Sequence, residues 1–280
     1  MHLQLPKATT QPNAPDPANV VIFGETGAGK SSVINMIVGE EVAETSGSAT
    51  GCTFESKPHQ VEIKGIPLVL WDTSGLNEGD KGKVEAKKAV FQLFRLIQSL
   101  EKDGVSLLVF CFRGPRVTET TIKNYELFYS AFCQTKVPIV LVATGLEAEG
   151  SMDDWWLENK GVFHTQKMKF SGQACITATK GKKSKRETYP YEEEYEESRV
   201  KVRKLIVDSL DGVPWKMERI PWFVATVRVL GRKVNAMLGF RLFDCSTKSI
   251  CEILRDYAGF SDKEARAVKI AASEEGKNEA

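Results

Sequence analysis

The chain has 280 residues and is 42% hydrophobic, enough to pack one large domain with an extension, or two modest ones. Its 38 Lys and Arg against 37 Asp and Glu leave a net charge of +1, so no bulk field draws it to nucleic acid or anionic lipid. The six cysteines form no C-x-x-C pair and no His pair offers metal spacing, a pattern that reads as reduced thiols in a cytoplasmic protein.

Residues 1–17, rich in Pro, Thr, Gln and Asn, read as a flexible tail without a signal-peptide pattern. An apolar run, Asn19-Val20-Val21-Ile22-Phe23, then predicts a strand over Asn19–Gly24. It leads into Gly24-Glu25-Thr26-Gly27-Ala28-Gly29-Lys30-Ser31, the pattern G-x-x-x-x-G-K-[ST], with a predicted helix over Ser31–Val38. Strand, glycine turn and helix make a phosphate-binding loop. Glycines let backbone N–H groups wrap phosphate oxygens, and the helix N-terminus adds positive dipole. Lys30 is expected on the β- and γ-phosphates and Ser31 on Mg²⁺, with Ser32 beside them. The chain is therefore expected to bind a nucleoside phosphate.

The polar stretch Glu40–Glu55 is expected to close over the nucleotide, with Thr53, or Thr50 in its place, completing the Mg²⁺ shell. Strands follow at Gln60–Lys64 and Leu68–Asp72. The second ends in Asp72-Thr73-Ser74-Gly75, where Asp72 serves Mg²⁺ and the Gly75 N–H meets the γ-phosphate. Leu76 comes next, and it cannot orient a water by hydrogen bonding, which predicts slow hydrolysis helped by a partner or a second copy. Arg113 and Arg116 are candidate arginine fingers, with surface ion pairing as the alternative. Spacing predicts helices over Lys83–Leu100, Glu119–Phe132, Met152–Asn159 and Glu192–Leu210, and strands over Val105–Phe112, Pro138–Thr144 and Ala174–Ala178. Alternation of this kind predicts an α/β fold, a mostly parallel six-stranded sheet with helices on both faces. Basic Gly181–Arg186 and acidic Glu192–Glu197 read as a solvated loop and a helix start.

The phosphate loop, D-T-S-G, Arg113-Gly114-Pro115-Arg116-Val117-Thr118-Glu119 and Thr144-Gly145-Leu146-Glu147 together resemble the septin-like, translation-factor-class P-loop GTPases. The likeness is greatest to the immunity-associated and chloroplast-import (Toc) branch, fungal G-domain proteins included. It spans roughly residues 18–210. The resemblance implies GTP/GDP and Mg²⁺ as cofactors and a switch that hydrolyses GTP, with a non-hydrolysing GTP-holding module as the alternative and an ATP-using enzyme as a third. Guanine readers of this class carry [NT]-K-x-D, in which the carboxylate pairs with the base and the lysine stem packs on the ring. Here Glu147 can supply the carboxylate, but Gly145 has no side chain to pack. Thr177-Ala178-Thr179 could add a backbone contact to the base. Trp155 and Trp156 could shelter the ring, although adjacent aromatics on a helix point different ways, so at least one is expected in the core or an interface.

Residues 18–212 are thus expected to form the nucleotide domain and 213–280 a helical extension with a charged tail. Within the extension, 221–243 reads as an amphipathic helix for domain packing, self-association or a lipid surface. The partners expected are a guanine nucleotide, a homodimer through the nucleotide face and a peripheral membrane, with nucleic acid excluded for want of a basic stripe or interleaved aromatics. The location expected is cytoplasmic, peripheral on a membrane at most.

Overall fold

A computed structural model describes residues 16–43, 57–73, 93–114, 117–184, 187–210, 212–223, 225–226, 255, 261–263 and 265–266. Strands β1 (Ala18–Gly24), β2 (Lys57–Ile63), β3 (Ile66–Asp72), β4 (Leu107–Arg113), β5 (Ile139–Thr144) and β6 (Gly172–Cys175) form one sheet in the order β2-β3-β1-β4-β5-β6. All neighbours are parallel except β2 and β3, which form an antiparallel hairpin.

β1 lies between β3 and β4, with Val20 to Phe23 fully buried. A strand covered on both faces must be apolar at every position, which is why this segment runs without alternation. Val20 and Ile22 face the helices α1 (Lys30–Val38) and α5 (Glu192–Asp208), joining Ile34, Ile37, Val202 and Ile206 in one cluster. Val21 and Phe23 face the opposite layer, built from α2 (residues 93–100), α3 (Glu119–Tyr125) and α4 (Met152–Thr165). Each such aliphatic or aromatic side chain contributes about 1.5–3 kcal/mol on burial.

Three elements depart from the periodicity. The helix expected over Glu119–Phe132 starts as α but continues as a π-helix over Glu126–Phe132, with the Cys133 N–H donating to the Phe128 carbonyl at 3.0 Å. Widening the turn seats Phe128 against Phe23, ring centroids 4.4 Å apart, a packing gain that local spacing cannot reveal. α4 runs on to Thr165, because Phe163 continues its buried face against Phe112 and Phe170. The last strand is Gly172–Cys175 rather than Ala174–Ala178. Its ladder ends as the Thr177 N–H turns from the sheet to the Ser198 hydroxyl at 3.2 Å.

Residues 212–223 pack back on the layer containing α2. Val105 and Trp215 exchange two backbone hydrogen bonds of 2.9 Å, and a Cβ on Gly104 would stand 2.6 Å from the Trp215 carbonyl oxygen. Trp222 is fully buried and its indole N–H donates to the Phe132 carbonyl at 2.6 Å. Phe223 meets Phe94 edge to face at 5.6 Å. Most of the expected helix over 221–243, the polar stretch from 44 to 56 and the segment 74–92 lie outside the described residues. No described helix is long and apolar enough to cross a membrane.

Candidate nucleotide site

The carboxyl ends of β1, β3, β4 and β5 gather the motif residues at one edge of the sheet, where ligands of parallel α/β sheets bind. Gly24, Gly27 and Gly29 adopt φ of 151°, 77° and 85°, backbone that side-chain-bearing residues rarely enter. At Gly24 close packing adds a second demand: a Cβ there would lie 2.1 Å from the Cys111 carbonyl oxygen. α1 begins at Lys30, with left-handed Gly29 as its N-cap and no side chain occupying its first N–H groups. Thr26 and Gly27 stand exposed at the crest, and Ala28 is buried.

Lys30 is 6% exposed, and its ammonium donates to the Gly24 and Glu25 carbonyls at 3.1 and 3.0 Å. The ammonium therefore lies across the loop it belongs to. The Ser31 hydroxyl donates to the Asp72 carboxylate at 3.3 Å, joining the start of α1 to the end of β3 across 41 residues. Two hard oxygen donors side by side suit Mg²⁺, which takes one or two protein ligands and completes its shell with water and phosphate oxygens. Ser31 and Asp72 would hold the ion, which would neutralise charge on the phosphates. Ser32, half-buried, follows on the first turn of α1. Thr73 is fixed to β1 through its hydroxyl on the Ile22 carbonyl at 2.9 Å, so the start of D-T-S-G is rigid. Thr53, Thr50, Gly75, Leu76 and Arg116 lie outside the described residues.

Glu25 faces α3. Its Oε1 accepts the Thr118 hydroxyl at 2.6 Å and also the Thr121 hydroxyl. Thr118 and Thr121 form the capping box of α3, each hydroxyl accepting the other residue's backbone N–H, at 3.1 and 3.0 Å. The two hydroxyls lie 2.9 Å apart, and each is also placed to donate its single proton to Glu25. The loop carboxylate thereby sits at a helix N-terminus, where negative charge is stabilised. Sequence reading treated Glu25 only as a loop residue. The signal available was T-x-x-T before a helical pattern.

The Thr144 hydroxyl donates to the Ala28 carbonyl at 2.9 Å, so this residue braces the phosphate loop from behind. Glu147 is half-buried, its Oε2 3.5 Å from the Thr177 hydroxyl, which brings the loops after β5 and β6 together. Trp155 packs on Phe112 and Phe163, and Trp156 on Phe163 and Phe170, so both tryptophans belong to the core of the α4 layer. The expectation that at least one of them packs in the core or an interface holds, and the other packs there too instead of standing free over the base. An apolar wall of phenylalanines offers them more buried area than a half-open site does. Cys111, under the loop, has its thiol pushed up to about 12 by burial, so it stays protonated and inert.

Residues 19–144, from β1 to the last residue of β5, match the model of a family described as 50S ribosome-binding GTPase. The solved structure of Era in complex with MgGDPNP and nucleotides 1506–1542 of 16S ribosomal RNA is similar at a TM-score of 0.50 and 21% identity, covering 71% of this chain and 59% of that one. The fold is that of the P-loop GTPases. The match makes residues 19–144 similar to a GTPase-type nucleotide domain. GTPase Der of Caldicellulosiruptor saccharolyticus is 34% identical over 94 residues, 34% of this chain and 21% of Der. The tRNA modification GTPase MnmE of Nitrosomonas europaea is 44% identical over 59 residues, 21% of this chain and 13% of MnmE. The chain thus spans about a fifth or less of the length of these two curated relatives. These likenesses show the fold, are consistent with a G domain over residues 19–144 and distinguish no branch within it.

They also correct one expectation. The exclusion of nucleic acid rested on the lack of a basic stripe or interleaved aromatics along the sequence, beside a net charge of +1. The matched family is described as ribosome-binding, and the similar Era structure contains 16S ribosomal RNA. Net charge is a sum over the whole surface, whereas phosphate contacts are made by local groups, so a balanced total excludes no such partner.

Proposed function

We propose that this chain is a Mg²⁺-dependent GTP-binding switch that hydrolyses GTP slowly. The observation that carries the reading is the constellation at the sheet edge: Lys30 lying across a left-handed glycine loop, with Ser31 on Asp72 at 3.3 Å. The family match over residues 19–144 and the Der relatives support GTP as the nucleotide. Leu76, at the position after D-T-S-G, supports a low intrinsic rate raised by a group from a partner or a second copy.

Calorimetry with GTP, GDP and ATP, with and without Mg²⁺, tests the binding reading. Tight Mg²⁺-dependent GTP binding is expected, and absence of heat from every purine nucleotide ends it. Single-turnover hydrolysis followed against protein concentration tests the rate, and a fast, concentration-independent rate would remove the need for an added group. If GTP binds tightly and no phosphate is released under any condition, the alternative of a non-hydrolysing GTP-holding module takes its place.

The partner we infer is ribosomal RNA or a ribosomal particle, supported by the description of the matched family and by the contents of the Era structure. Co-sedimentation with ribosomal subunits, stronger with a GTP analogue than with GDP, is the expected result. The motifs D-T-S-G, R-G-P-R-V-T-E and T-G-L-E support placement toward the septin-like, immunity-associated and Toc-type branch. The free, buried thiols of Cys111, Cys133 and Cys175 support a reducing, cytoplasmic setting.

A further inference from the structure

Gly145 stands where guanine readers of this class place the lysine whose stem packs on the ring, and it adopts φ 78°. A side chain there would be strained, and its room is already taken. An added Cβ on Gly145 would meet the Arg113 Cγ and Nε at 3.1 Å each. Arg113 ends β4 directly beside Thr144 in the parallel register, so its side chain crosses from the neighbouring strand into the space vacated at 145. We propose that Arg113 supplies, from β4, the packing against the purine for which Gly145 has no side chain.

Three features support this assignment. Arg113 is exposed, and among the described residues no carboxylate pairs with its guanidinium. It lines a cavity of about 470 Å³ together with the phosphate-loop residues Glu25 to Ala28, while its Cγ and Nε lie 3.1 Å from the Cβ position of Gly145 in the base-reading loop. The backbone it springs from is fixed: the Gly114 N–H donates to the Thr144 carbonyl at 3.4 Å, and a Cβ on Gly114 would contact the Trp155 indole at 3.5 Å. A guanidinium is planar, delocalised and weakly hydrated, so it stacks on an aromatic face better than an ammonium does. Arg113 then covers a purine face while Glu147 and Thr177 stand at the edge that distinguishes guanine. The arginine serves stacking and the carboxylate serves base choice. This placement in its own site differs from the arginine-finger role considered from sequence.

The inference rests on the guanine-nucleotide reading above, and one titration series separates the two. Wild-type protein, Arg113→Ala and Arg113→Lys are titrated with GTP and with GDP in the presence of Mg²⁺, with thermal unfolding followed on each to verify folding. Arg113→Ala is expected to weaken GTP and GDP by the same factor, roughly tenfold, because base and ribose are common to both. Arg113→Lys should recover part of that loss through its aliphatic stem. Affinity within about twofold of wild type for folded Arg113→Ala overturns the proposal while leaving the nucleotide reading intact. A loss confined to GTP also overturns it, since that would place Arg113 on the terminal phosphate. Wild-type protein that binds no purine nucleotide overturns both.

Discussion

The hydroxyl of Thr144, the last residue of β5, is hydrogen-bonded at 2.9 Å to the carbonyl of Ala28 in the phosphate loop, 116 residues earlier in the chain. This contact makes the base-side strand a brace for the phosphate side. Thr144→Val keeps the shape and removes the donor, leaving a buried carbonyl unpaired at a cost of about 1–3 kcal/mol. A lower melting temperature and a nucleotide affinity reduced roughly tenfold are expected. Thr144→Ser, which retains the hydroxyl, should restore most of both.

Gly24→Ala is expected to be far more damaging than its single methyl suggests. The added carbon would lie 2.1 Å from the Cys111 carbonyl oxygen, in backbone at φ 151°. Overpacking and strain together should cost on the order of 3–5 kcal/mol. Chemical denaturation of purified protein is the measurement, and a midpoint equal to wild type would contradict the packing described here.

Ser31→Ala removes the hydroxyl that bonds Asp72 at 3.3 Å. Nucleotide affinity without Mg²⁺ should change little, while the gain produced by adding Mg²⁺ should shrink by about tenfold or more. A gain as large as in wild type would take Ser31 out of the metal site.

Trp222→Ala tests whether residues 212–223 belong to the folded core. The indole is fully buried and donates to the Phe132 carbonyl at 2.6 Å. A loss of about 3–5 kcal/mol is expected from the cavity alone, with the Phe132 carbonyl left unpaired besides. If thermal unfolding of the variant and the wild type coincide, this segment contributes nothing to the core.

Burial holds the His59 pKa below the ordinary histidine value of 6.5, and the nearby Asp72 carboxylate only partly opposes that shift. Its Nε2 is buried without a partner among the described residues. A native state that prefers neutral imidazole binds fewer protons than the unfolded chain. The resulting stability is present above about pH 6.5 and is lost as pH falls through the lower native value. The melting temperature of wild type should therefore drop on acidification from pH 7 through 6, and His59→Gln should flatten that part of the curve.

Much of the site was legible in the residues because its chemistry is local in the chain. G-x-x-x-x-G-K-S brings its glycines, lysine and serine within eight positions, so the loop could be read as a unit. Asp72 was legible for the same reason, as an acid closing an apolar strand. The π turn at Glu126–Phe132 was not, since a helix widens there to fit Phe128 against a strand 100 residues away. That both tryptophans of α4 are core was not legible, because their neighbours, Phe112, Phe163 and Phe170, are assembled from β4, the far end of α4 and the loop beyond it. The exclusion of nucleic acid failed because it looked for a basic stripe along the sequence, whereas groups that contact phosphates need not be neighbours in the chain.

By itself the sequence determined a parallel α/β sheet edged by a phosphate loop, because strand hydrophobicity, glycine spacing and the Lys30–Ser31 pair are properties of neighbouring residues. Only the tertiary structure decided that Glu25 anchors to α3, that Thr144 braces Ala28 and that Arg113 lies over Gly145. Each of these joins a loop residue to a residue of another element, distant in the chain. Such contacts depend on how the sheet orders its strands, and that order is set by packing the whole core at once.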